Sequence, residues 1–283
     1  MLTLSNSQLT VQLLDPSSPG EYALQGSRFC WGGYVWQVED SAGGLLSGPE
    51  YPHATPDPFN GQGLPEAFRC RSQKTGDPLT MHGSRGFVIG AGDVEVADNG
   101  EVRLLAPARW SYAASPGALE FTCEQRFADW HTVLDRRIVL QDRSLTSCTR
   151  LRNLGTAELP VHWFPHPFFP LVEGRTNAAV PIGYGVDDNP VFSCSNGRLE
   201  QRCAFPPGDP GHFQPLTATP VPLAGTVAHP RLRGIRMRCD YVPAAVPVWA
   251  NHRTFSIEPY LHTALPPGGR REWRVRYDFL SPS

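Results

Sequence analysis

The chain has 283 residues, a formal net charge of −2, 40% hydrophobic and 18% charged residues. That balance excludes intrinsic disorder and describes a globular chain able to bury a core. A net charge so close to zero excludes an electrostatic case for nucleic acid or an anionic membrane as partner.

The N-terminal residues Met1 to Ser7 have no basic region and no continuous apolar run, so they read as lacking a secretory leader. No apolar run approaches the ~20 residues of a transmembrane helix. Seven cysteines are scattered without a closely spaced pair, which fits reduced thiols and a cytoplasmic location. Cys194 and Cys203 could face each other across a hairpin, though buried thiols are the simpler reading. Lys74 is the single lysine, an arginine bias attributed to genome composition.

In chain order, Arg28 to Trp36 reads as an aromatic strand broken by Gly32-Gly33, with core packing and a bulge expected. Residues 48–71 are poor in regular patterning yet rich in Phe, Glu, His and Arg, and read as part of the rim of a site. Period-two alternation then recurs, less cleanly from Leu119 to Phe127, and clearly from Leu232 to Tyr241 and from Arg271 to Phe279. Each run is the pattern of an antiparallel strand with one wet face. Asp98-Asn99-Gly100, Ser115-Pro116-Gly117, Ser195-Asn196-Gly197 and Pro266-Pro267-Gly268-Gly269 supply turns between such runs. Proline, at 29 residues, is about double the usual ~5% and leaves few windows for a helix. The stretch Pro206 to Pro222 reads as a long loop over the sheet. Many short strands with Gly/Pro turns, no linker and no fixed repeat predict an all-β protein, a large antiparallel β-sandwich in one domain over 1–283.

Three stretches could carry chemistry. They are Leu79 to Phe87 with His82, His162 to Pro170 with His166, and Phe255 to Leu261 with Glu258. Singly, each has a structural explanation. Together, a His and a Glu at apolar strand ends beside proline form a potential acid/base pair. A metal site on His162 and His166 is disfavoured, because residues four apart on a strand lie ~13 Å apart, so no metal is expected.

Arg152-Asn153-Leu154-Gly155 followed by His166-Pro167-Phe168-Phe169, and later Ser256-Ile257-Glu258-Pro259 before the closing alternating strand, resemble the aldose 1-epimerase (galactose mutarotase) superfamily. The resemblance spans about Leu79 to Phe279. It implies the mutarotase-like supersandwich and interconversion of the anomers of a small-molecule sugar, without cofactor. By the same resemblance His166 would protonate the ring oxygen and Glu258 would take the proton from the anomeric hydroxyl. His82, with His53 as rival, and Arg71 or Arg69 would hold sugar hydroxyls, as would Asp188 or Asp187. Trp163, Phe168, Trp249 and Tyr260 are candidates to stack on the sugar, with core packing the alternative for each. Two further readings stay open: a sugar-binding sandwich without turnover, and an epimerase of hexose 6-phosphates. The latter would need Arg69, Arg71, Arg85, Arg253 and Arg270 to converge. The chain is expected to be a monomer or a homodimer.

Overall fold

The computed structural model describes residues 1–22, 26–44, 62–172, 176–217 and 219–282. His53 and most of the 48–71 stretch lie outside these residues. Among the described residues the one helix is a single turn, Pro19–Tyr22, and the rest of the regular structure is β.

The first layer is a ten-stranded antiparallel sheet. Its central strands are Gly234–Cys239, Arg270–Leu280, Ser144–Asn153, Trp130–Gln141 and Ala118–Phe127, in that spatial order, and the last four are the longest of the sheet. Trp273, Val275, Tyr277 and Phe279 are buried while the residues between them face outward, as the alternation requires. From Leu119 to Phe127 the alternation looked imperfect because a polar residue continues it. Gln125 is buried, accepts the Gly90 N–H at 2.7 Å and donates to the Val88 carbonyl at 3.2 Å. Asn196 and Gly197 take φ of 50° and 73°, the backbone twist that a two-residue hairpin favours.

Shorter sheets form the opposing layer. One orders Leu261–Leu265, Leu159–Pro165 and Glu66–Phe68. Another orders Phe169–Pro170, Thr254–Ile257, Val246–Ala250 and His212–Leu216. Trp273 meets Trp163 at 5.3 Å and Phe68 at 6.3 Å between ring centroids, and Tyr277 meets Phe169 at 6.2 Å. These contacts are the seam between the layers.

Three expectations change. The 206–222 stretch is not wholly loop, because His212–Leu216 is an edge strand on which Pro215 lies opposite Pro247; an edge tolerates a missing N–H. The strand after Arg28 begins only at Val35. Before it the chain turns through Gly33 at φ 77°, and Gly32 presses so closely on Trp110 that a Cβ would lie 2.2 Å from the indole. Within the supposedly irregular 48–71 stretch, Glu66–Phe68 is a buried strand.

Two polar knots tie the layers. Asn153 donates to the Ala157 and Leu265 carbonyls at 2.8 and 2.9 Å and accepts the Gly155 N–H at 3.0 Å. It thereby binds the turn before Leu159 to the turn before Arg270. Asn153→Ala is expected to cost about 1–3 kcal/mol, because buried carbonyls lose their donor; urea unfolding reads this directly. Across the seam, Arg136 lies 2.8 Å from Glu66, and both reach Ser147, at 2.7 and 2.6 Å, all buried.

Candidate active site

His166 and Glu258 sit on two chain segments that cross between the same two short sheets in opposite directions. Trp163 pairs with Leu261 on one side and Phe169 with Phe255 on the other. Each pair is three residues from His166 and Glu258, so one antiparallel register, carried across the gap, sets these two residues opposite each other. The ladder itself breaks there because Pro165, Pro167 and Pro259 lack an N–H. The backbone turns to other partners: His166 N–H donates to Pro65 O, and Glu258 N–H to Pro247 O, both at 2.9 Å.

The side chains meet. His166 Nε2 lies 3.4 Å from Glu258 Oε1, with both groups buried. Strand alternation supplies the surroundings. On one segment Phe164 and Phe168 flank His166, and Phe168 stacks on the imidazole at 4.4 Å and 22°. On the other, Ser256 and Tyr260 flank Glu258. Ser256 Oγ is 3.5 Å from His166 Nδ1, and Tyr260 OH is 3.2 Å from Glu258 Oε2. Phe29 and Trp249 close the ring set edge-on, at 6.0 and 5.8 Å.

Arg28 Nη2 lies 3.3 Å from His166 Nε2. A guanidinium only donates, so Nε2 accepts and the imidazole proton sits on Nδ1, toward Ser256. Burial, and then the Arg28 and Arg69 charges, hold His166 well below the usual imidazole range. Burial pushes the Glu258 carboxyl up to about 7 against the pull of Arg28, the Tyr260 hydroxyl and Arg69. The resting pair is thus a neutral imidazole beside a carboxyl that still holds its proton below neutrality.

The pair lies behind the wall of a cavity of about 730 Å³. Arg28, Arg69, Arg71 and Gln73 line that cavity, whereas His166 and Glu258 do not. Arg28 reaches from it to His166, and Gln73 reaches Glu258 through the Tyr260 hydroxyl, which it meets at 2.7 Å. A separation of 3.4 Å is too short for a sugar ring to lie between the two groups.

The remaining candidates are dispersed. Exposed His82 packs on Trp130 at 4.9 Å and Phe127 at 6.1 Å, although Gly83 and Ser84 beside it reach the cavity. Asp188 is on the surface within 3.4 Å of Arg202, and Asp187 is exposed too. Trp163 belongs to the seam, while Phe168, Trp249 and Tyr260 surround the pair. His162 stacks on His262 at 3.9 Å, and among the described residues no three His, Cys, Asp or Glu side chains gather as metal ligands would. Cys194 and Cys203 are both free thiols, with Cys203 exposed. Sequence reasoning missed Arg28, Ser256, Gln73 and Glu66. Ser256 was findable, because it stands two residues before Glu258 on a strand.

No protein-family profile matches the chain, and no curated protein does. Solved structures do match. A galactose mutarotase related enzyme from Lactobacillus acidophilus aligns with TM-score 0.62 and 11% identity, over 100% of this chain and 98% of that one. A galactose mutarotase-like protein from Lactobacillus casei aligns with TM-score 0.58 and 16% identity, over 98% and 99%. A third, from Clostridium acetobutylicum, gives 0.56 and 12%, over 97% and 93%. The chain has the galactose mutarotase-like fold. No helix among the described residues is long and apolar enough to cross a membrane.

Proposed function

We propose that this chain interconverts the α and β anomers of an aldose by paired proton transfer at His166 and Glu258. The observation that carries this reading is the 3.4 Å contact between a buried imidazole and a buried carboxyl, opposed in one register. The anomeric oxygen and the ring oxygen of a hemiacetal are bonded to the same carbon. An acceptor and a donor 3.4 Å apart therefore suit both oxygens from one side of the ring.

In ring opening, one group takes the proton of the anomeric hydroxyl and the other gives its proton to the ring oxygen. The C1–O5 bond breaks as the C1–O1 double bond forms. After rotation about C1–C2 the transfers run backwards on the other face. The resting protonation reverses the roles that the resemblance implies: His166 Nε2 is the first acceptor and Glu258 the first donor, and ring closure exchanges them. General acid–base assistance of this kind is typically worth about 10²–10⁴ in rate. Arg28 holds the imidazole in its accepting tautomer until the sugar hydroxyl takes its place at Nε2, and the Phe164, Phe168 and Trp249 rings surround the pair.

The pH dependence tests this. The active form is the pair with one mobile proton, and raising the pH removes it. The catalysed rate is expected to fall as pH rises through about 7, where Glu258 ionises. On the acid side it is expected to hold until His166 gains a second proton, well below the usual imidazole range. Polarimetry of freshly dissolved hexoses and pentoses from acid to alkaline pH, corrected for the buffer rate, reads both limbs. No acceleration at any pH would instead favour a sugar-binding protein without turnover.

A further inference from the structure

Arg28, Arg69 and Arg71 are the arginines that line the 730 Å³ cavity. Many others meet a carboxylate: Arg136 with Glu66, Arg143 with Asp40, Arg103 and Arg85 with Glu95, Arg238 and Arg276 with Asp278. Among the described residues, Arg28, Arg69 and Arg71 have no carboxylate within 4.0 Å, yet all three line the same 730 Å³ cavity. One acid, Asp98, shares that wall.

The guanidinium planes are held by aromatic faces. Arg28 lies over Phe29 and Arg69 over Phe164, each at 5.0 Å from the ring centroid. Such a contact orients the guanidinium and leaves its N–H edges available, apart from the Arg28 Nη2 that meets His166. Among the described residues, the Nε atoms of Arg69 and Arg71 are buried without a hydrogen-bond partner, an unfavourable state for a donor. Arg28 and Arg69 are also close enough for the second charge to weaken the first. Like charges, half-buried around one cavity and, among the described residues, without a carboxylate within 4.0 Å, repel one another. An anion offsets that repulsion, and stacked guanidinium forks match the oxygen pairs of phosphate and carboxylate.

We infer that Arg28, Arg69 and Arg71 form an anion subsite, so that the sugar this chain takes carries a phosphate or carboxylate group. The cavity volume is within the roughly 300–1,000 Å³ of small-molecule sites. Arg28 and the Gln73–Tyr260 contact join the subsite to the proton pair, so the anionic group and the hemiacetal belong to one ligand. That orientation rests on the function proposed above, while the subsite itself rests only on the arginines. Of the five arginines weighed from sequence, Arg69 and Arg71 converge here. Arg85 is held by Glu95, Arg253 and Arg270 do not line the cavity, and Arg28 completes the set.

Calorimetric titration of the full chain with glucose 6-phosphate, glucuronate and glucose tests the inference without requiring turnover. At least one anionic sugar is expected to bind ten-fold or more tighter than glucose, and the tighter of the two identifies the group. Arg71→Gln and, separately, Arg69→Gln should each weaken that binding by about 10–100-fold, the range for one lost charge-assisted hydrogen bond, with the thermal transition preserved. Glucose binding as tightly as both anions overturns the subsite, as does anion binding unchanged in both variants. Glu258→Gln separates the two readings. Anion binding without anomer exchange in the native chain sinks only the proposed function, whereas exchange of neutral sugars with no preference for anions sinks only the subsite.

Discussion

Glutamine in place of Glu258 is expected to reduce catalysed anomer exchange by about 10²–10⁴-fold, the contribution of one acid–base group, with little change in KM. The amide has the carboxyl's shape. Its NH2 can face His166 Nε2 as the protonated carboxyl does, and its oxygen can still meet the Tyr260 hydroxyl. What it cannot do is release a proton. An interaction used only in the transition state lowers kcat and kcat/KM together. The thermal transition should stay or rise, because an amide avoids the burial cost that raises the Glu258 pKa. His166→Asn should act similarly, and the double variant should lose little more than either single one, since the two residues work as a unit. Unchanged turnover in Glu258→Gln would remove this residue from the chemistry.

The largest effect on stability is expected at the buried ion pair beneath the site. Arg136→Met removes the cation from a carboxylate whose side chain is 3% exposed. Breaking one side of a buried ion pair typically costs about 3–5 kcal/mol, because the remaining charge stays desolvated. Ser147 retains its hydrogen bond to Glu66 but carries no charge. Adding Glu66→Gln to Arg136→Met should recover much of the loss, since no buried charge then remains. Urea unfolding of the two single variants and the double variant checks this, and a double variant no more stable than Arg136→Met would show that shape, not charge, dominates there. The effect should reach the site, because Glu66 also pairs with Pro165 beside His166.

Much of the fold was legible because burial writes a period of two along a strand. Trp273 to Phe279 and Ile235 to Cys239 follow it, and the Gly-containing turns fall between strands. Legibility failed where another constraint took over. The Phe29 to Tyr34 aromatics are buried without a strand because Gly33 turns the chain. Pro215 reads as a loop residue yet lies on a sheet edge. Gln125 breaks the apolar pattern but not the burial. At the candidate site, proline beside His166 and Glu258 marks the ladder's interruption, and the structure brings these two residues into contact. Arg28 and Gln73 could not be found in this way. They arrive from segments whose approach depends on long-range packing, and one arginine in a loop carries no period. His82 shows the converse: its Gly-containing neighbourhood reaches the cavity while the ring itself packs on Trp130.

Magnetisation transfer between the anomeric protons of an equilibrated sugar tests the central claim most directly, since it reads interconversion without any coupled step. With the native chain at neutral pH, the α–β exchange rate should rise in proportion to protein concentration for at least one sugar in a panel of free, phosphorylated and carboxylated aldoses. Glu258→Gln should return that rate nearly to the buffer value. Exchange equal to buffer for every sugar, or a Glu258→Gln variant as fast as the native chain, would contradict proton transfer at His166 and Glu258.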